Sequence, residues 1–420
     1  MKRLLVAIAA IAAVVIAACG GGEQAVEITS ATQIVRFGST PQVEIEPLRL
    51  NRPLEQGGRF LDLISRIPST AENRRSLWIN DFIPLWEAWR ALGASRPVHE
   101  DGPGAMDDFF DDLAVNRTGN SLFARPRMPA PRISGFDIIG GIVNTFDFVG
   151  FDQRHVDGSA IAGPSGNPVE IVVGDYHPER TAEALAACGE CRPHEVVDYS
   201  GLEYYSWGED LVGDLDDHFA PPLFDHAGRG GRIAMADGVA MRALTTARME
   251  SLLDASVNAV PTVDEDPDFA LASAAHNAAG TYSAWFSNLP FDVEDGARMA
   301  INFDSNLRLG STIETLLKAE PLQAYDLISF GWGVDTAVPY GVLVLIHGDN
   351  ATALRNADLL AERFRSALVP DGGEAWSSLI DRAEVGVEGR AVIAKLFPHP
   401  DQALFTVNHF QFAYGLAVYE

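Results

Sequence analysis

Apolar and polar positions follow two periods along the chain, and the switches between them mark out its elements. Residues 4–18 form an unbroken apolar run behind Lys2 and Arg3. Residues 58–67 place Phe60, Leu61, Ile64 and Ile67 at helical spacing, which predicts a short amphipathic helix. Residues 76–80 read as a strand. Asp81 then stands at an N-cap position before a helix over 82–92 with an aromatic-rich face of Phe82, Trp86 and Trp89. Residues 93–134 are rich in Pro, Gly and Asp with little period and read as a long loop, with one helical turn over 106–113. Residues 136–149 return to helical spacing through Ile138, Ile139, Ile142, Val143 and Phe146.

Two later stretches share one order. Val169–Gly174 is an apolar strand, Asp175 follows, and Pro178–Ala187 is helical. Residues 342–348 are an apolar strand, Asp349 follows, and 351–368 are helical. Each unit leads into a hairpin. In the first, strands 232–236 and 239–244 flank Asp237-Gly238, a strong type I′ signal; in the second, strands 383–387 and 390–397 flank Glu388-Gly389. Further strands fall over Thr281–Ser287, 298–303 and 325–332, with a helix over 311–319. Strands 325–332 and 340–347 are separated by a turn and pair as a hairpin. The expectation is an α+β fold of two related modules, each an antiparallel sheet with helices packed on one face.

Composition narrows the classes. The 420 residues are 47% apolar and 21% charged, which is globular and long enough for more than one core. With 31 Lys+Arg against 58 Asp+Glu the net charge is −27. No basic face for a phosphate backbone is visible, so nucleic acid is not an expected partner.

The N-terminus carries the sharpest signal. A basic start and a fifteen-residue apolar run, too short for a comfortable bilayer span of roughly 20 residues, fit a signal peptide. The run ends Ile16-Ala17-Ala18-Cys19, which resembles the lipobox of bacterial lipoproteins. That resemblance implies cleavage before Cys19, lipidation of Cys19, and attachment to the cell membrane or outer membrane through acyl chains, two or more of which anchor stably. The residue after the cysteine is Gly20 and not Asp. In that family this goes with an outer-membrane destination in a double-membraned cell, and with the outer face of the plasma membrane in a single-membraned one. Removing residues 1–18 takes away Lys2 and Arg3 and no acid, so the mature charge moves from −27 to −29. The expected organisation is a signal peptide over 1–18, a flexible tether over 19–46, an N-terminal module over 47–290 and a C-terminal module over 291–420. Residues 169–255 and 341–396 resemble modules repeated in uncharacterised bacterial envelope lipoproteins, a resemblance that implies architecture and location and no active site.

Three places could carry chemistry. Cys188 and Cys191 are the cysteines left once Cys19 is lipidated, in an oxidising compartment. A redox pair wants its first cysteine at a helix N-terminus, whereas Cys188 follows the end of a helix, so a structural disulfide is the better reading. Two thiolates with His194 as a third ligand would be an incomplete zinc site. The acidic run over 209–218 suits Ca²⁺ in ligand type but not in the spacing of a calcium loop, and reads as a solvated loop; the run over 264–268 reads as a helix cap. Tyr204, Tyr205 and Trp207 could stack on a sugar or peptide as ligand-binding aromatics, or form one buried face of a strand.

No nucleophile elbow, Walker loop, dinucleotide fingerprint or His-Glu-x-x-His motif is present, and the ten histidines are scattered singly. The reading names no catalytic residues, metal ligands or cofactors. It leads to a non-catalytic envelope lipoprotein that binds another envelope protein or a small-molecule ligand. A solute-binding lipoprotein of a transport system and a hydrolase with a dispersed site are the alternatives.

Overall fold

The computed structural model describes residues 43–54, 58–91, 148–151, 155–189, 191–213, 228–295, 297–298, 309–317, 320–335, 338–366 and 380–398. All of these fall in one compact unit spanning Pro41–Glu420. The chain is mixed α+β, and among the described residues thirteen strands form one continuous sheet.

The N-terminal half of that sheet holds β2 (Leu77–Asp81), β3 (Val156–Ala162), β4 (Val169–Gly174), β5 (Glu195–Tyr199), β6 (Leu202–Trp207), β7 (Gly231–Ala236) and β8 (Val239–Ala243). The C-terminal half holds β9 (Thr281–Ser287), β10 (Leu327–Asp335), β11 (Val338–Ile346), β12 (Ile380–Glu388) and β13 (Ala391–Pro398). β1 (Glu44–Pro47) lies at one edge. The spatial order is β1-β12-β13-β11-β10-β9-β2-β3-β4-β8-β7-β6-β5. The series β2-β3-β4-β8-β7 and β9-β10-β11-β13-β12 correspond strand for strand, and the antiparallel β2–β9 pair welds them. Two modules with a sheet each is therefore corrected to one sheet built in two halves. Sequence periodicity reports a strand's faces and not its neighbours, so the β2–β9 seam was invisible to it.

Helices cover both faces, which corrects the expectation of one. On the first face lie α1 (Arg59–Ile64), α5 (Thr246–Ser256) and α6 (Pro267–Ala279), packed on Leu77, Ile171, Met241, Phe286, Val344 and Ile393. On the second lie α3 (Phe82–Ala91), α7 (Leu309–Leu316) and α8 (Asn350–Ser366), packed on Ile328, Phe330, Leu343, Leu345 and Val392. A third core gathers Val149, Phe151, Val172, Tyr176, Trp207 and Ile233. β11 shows why both faces must be covered: Val342, Val344 and Ile346 enter one core while Leu343 and Leu345 enter the other. A strand apolar on both sides is a central strand. Two further helices are α2 (Ala71–Arg75) and α4 (Pro178–Ala187).

Several expectations land within a residue or two, among them α4 and α8, and β10 and β11 pair as the expected hairpin with β10 ending three residues later than expected. The last residues of the expected tether, Glu44–Glu46, are instead strand β1, paired in parallel with β12. Residues 1–42, 92–147, 299–303 and the Trp89 side chain lie outside the described parts, and Arg298 is helical where a strand was expected. The Asp237-Gly238 turn has a positive φ at Gly238 alone (+73°), the φ signs of a type II turn; type I′ needs both positive. In the second hairpin β12 runs on through Glu388, so the turn is Gly389-Arg390. Gly389 alone has a positive φ there (+62°), as in type II′.

Candidate functional site

The aromatic strand β6 spends its rings on the cores. Tyr204 is 2% exposed in the first core, and Trp207 is 3% exposed in the third, its ring lying over Gly231 on the neighbouring strand. Tyr205 is half-buried, edge-on to His194 with centroids 5.7 Å apart. Two of the three rings thus have no face left for a ligand from solvent. Cys188 and Cys191 are joined as a disulfide with Cα atoms 5.4 Å apart, and Cys188 ends α4 with its amide donating to Ala184 O. Cys19 lies outside the described residues. The acidic runs include structural caps. Asp266 accepts the Asp268 amide at the start of α6, and Asp210 accepts the Thr246 amide at the start of α5 and pairs with Arg232 at 2.6 Å.

Polar groups inside the sheet are satisfied pins. Asn80 donates to Ser159 Oγ at 2.9 Å and accepts from Ser283 Oγ at 2.7 Å, bonding β3, β2 and β9 across the centre. Lys395 is buried on β13, where its Nζ donates to Asn51 Oδ1 at 2.8 Å and desolvation pulls its pKa down. His276 sits 2.8 Å from Ser329 Oγ and 3.0 Å from Thr281 Oγ1. That Ser–His contact resembles half a triad, but the third partner is a hydroxyl where a carboxylate is required. Both His276 and Ser329 are fully buried, and desolvation lowers the His276 pKa to about 3, so the ring is a poor base at neutral pH.

One surface cluster has a different character. β4 ends at Gly174, where a Cβ would strike His155 O, so the chain turns tightly into Asp175. His177 caps α4 and Pro178 and Glu179 open it. The β7–β8 turn lies against this corner: Gly174 N donates to Gly238 O at 3.0 Å and Gly238 N to Tyr176 O at 2.9 Å. His177, Glu179 and Asp237 then bring one ligand atom each to within 4.8 Å of one another. Asp175 Oδ1 lies 2.8 Å from His177 Nε2, and Arg180 donates to Asp175 Oδ2 at 3.3 Å. Slight desolvation raises the Asp175 carboxyl, but these two bonds outweigh it and hold the pKa below the usual carboxylate range. Sequence reading found both turns and missed their meeting. The donors are about sixty positions apart, and only the β4–β8 pairing joins them.

No family model and no curated protein matches the chain. Among solved structures, crystal form I of TP0453 is 11% identical over 84% of this chain and 98% of that one, with a TM-score of 0.34. Crystal form IV of TP0453 is 9% identical over 84% and 99%, also at 0.34. These superpositions are too loose to establish a shared fold. No helix among the described residues is long and apolar enough to cross a membrane.

Proposed function

We propose that this chain is an extracytoplasmic protein, lipid-anchored through Cys19, whose α+β body has a non-catalytic binding role at the cell envelope. The observation that carries the reading is the basic start, apolar run and Ile16-Ala17-Ala18-Cys19 sequence. The antiparallel build of the sheet favours an interaction role over a two-lobed solute receptor, whose lobes use parallel sheets. The Cys188–Cys191 disulfide fits an oxidising compartment. The matching strand order of the two half-sheets supports reading them as related modules fused edge to edge. The partner in this reading is an envelope protein or a small ligand, with the membrane engaged through acyl chains alone.

The test is mass spectrometry of the N-terminal peptide from protein made in a lipoprotein-processing bacterium. The expected result is a mature chain starting at Cys19 and carrying a diacylglyceryl group. Cys19→Ala should leave the protein uncleaved and without the lipid. An unmodified Cys19 in processed wild-type protein would sink the reading.

A further inference from the structure

We propose that His177, Glu179 and Asp237 form a binding site for one divalent transition-metal ion, with zinc the best-fitting choice. This goes beyond the envelope reading and does not depend on the anchor.

The first argument is geometric. Zinc bonds nitrogen and oxygen at about 2.0–2.1 Å, which puts the ligand atoms of a tetrahedral site roughly 3.3 Å apart. The three donor atoms already lie within 4.8 Å of one another. They therefore have to draw together by no more than roughly 1.5 Å. Exposed side chains can do that by small rotamer adjustments, while the backbones beneath are tied by the Gly174–Gly238 and Gly238–Tyr176 hydrogen bonds.

The second argument is electrostatic. Among the described residues neither Glu179 nor Asp237 has an ion-pair partner, whereas Asp175 is matched by Arg180. The two unmatched carboxylates and the imidazole converge from different turns, so a cation relieves their repulsion in a way no nearby side chain does. An imidazole in the set separates this corner from an ordinary acidic patch. Ca²⁺ and Mg²⁺ prefer all-oxygen shells, whereas imidazole with carboxylate suits zinc.

The third argument concerns the ring. Asp175 holds His177 through Nε2. The other ring nitrogen, Nδ1, makes no hydrogen bond among the described residues. A carboxylate on the second imidazole nitrogen is the arrangement that orients metal-bound histidines and raises their basicity. Three protein ligands leave the fourth position open to water or to a partner's side chain. The cysteines offer no rival site while they are bonded to each other.

The experiment uses the full mature chain in detergent micelles, disulfide intact, stripped with chelator and titrated with zinc chloride. One equivalent of zinc should bind at micromolar concentration. His177→Ala and Asp237→Asn should each weaken binding about tenfold or more. Asp349→Asn, at the corresponding turn of the other half-sheet, should leave the zinc affinity unchanged. Circular dichroism of each variant separates a lost site from a lost fold. Zinc binding that survives both site substitutions in folded protein, or its absence up to about 100 micromolar metal, overturns the proposal. So does a preference for calcium that ignores His177.

Discussion

The two half-sheets turn the same corner twice and fill it with opposite chemistry. In the C-terminal half, β11 leads into α8 and the β12–β13 turn lies against it. His347 is fully buried there: its amide donates to Arg390 O at 3.0 Å and Asn356 Nδ2 donates to its Nε2 at 2.8 Å. Burial pulls the His347 pKa down, although hydrogen bonds and nearby carboxylates oppose it. Asp349 accepts the Thr352 amide at 2.8 Å and so caps the helix. Arg390 pairs with Asp268 at 2.5 Å. In the N-terminal half the histidine of the corner is His177, two residues after Asp175 and so not aligned with His347; it is 43% exposed on its side chain, Asp175 bonds sideways to it, and among the described residues Glu179 and Asp237 keep their oxygens free. One corner consumes its polar atoms in holding itself together; the other leaves donors facing water. Shared topology therefore does not carry shared chemistry, which resides in a handful of side chains.

The sharpest way to break the comparison is Asn356→Ala. Asn356 also donates to Gln323 O at 2.7 Å and accepts the Gln323 amide at 2.9 Å. Its loss strands the buried His347 Nε2 and opens two part-buried bonds to the Gln323 backbone, so urea denaturation should show a loss of about 3 kcal/mol. A loss near zero would mean that the closed corner is not structural.

Next in size is the carboxylate closing β2. Asp81 accepts the Ile83 amide, just as Ser287, closing β9, accepts the Leu289 amide. Desolvation raises the Asp81 pKa from 3.8 to about 6, against the pull of the Ile83 amide and Arg59. The folded state then holds a proton that the unfolded state releases. Stability from this group is present below pH 3.8 and is lost as pH rises through about 6. Asp81→Asn should therefore stabilise the protein at neutral pH by up to about 2 kcal/mol, with the gain vanishing below about pH 4. Urea melts at the two pH values decide it.

A smaller effect belongs to the disulfide that only the N-terminal corner's helix carries among the described residues. It closes a very short loop, so reduction should cost roughly 2 kcal/mol or less. Thiol titration of unreduced protein should find neither Cys188 nor Cys191 free. The smallest effect is His177→Ala, which should change unfolding free energy by about 0.5 kcal/mol or less. A large loss there would make both corners structural and remove the contrast.

How much of this was legible follows from the range of each signal. The Gly-Asp turns, α4 and the hairpins are written in local residues, and the sequence places them well. The meeting of Asp237 with His177 depends on β8 lying beside β4, which neither strand's own residues encode. The same is true of Asn80 joining Ser159 and Ser283, and of Lys395 reaching Asn51 across 344 positions. Tyr204 and Trp207 were ambiguous because alternation marks a two-sided strand equally well whether its faces meet solvent or a core. The type I′ expectation at Asp237-Gly238 failed because a single glycine with positive φ serves two turn types.

Among the described strands the sheet does not close on itself. Its two borders are β1, through which the N-terminal segment enters, and β5, beside the disulfide. Thirteen strands at about 4.8 Å spacing set these borders roughly 58 Å apart along the sheet. Under the proposed anchoring at Cys19, β1 is the border whose chain continues toward the anchor and β5 is the opposite border of the same sheet, with the His177 corner between the two.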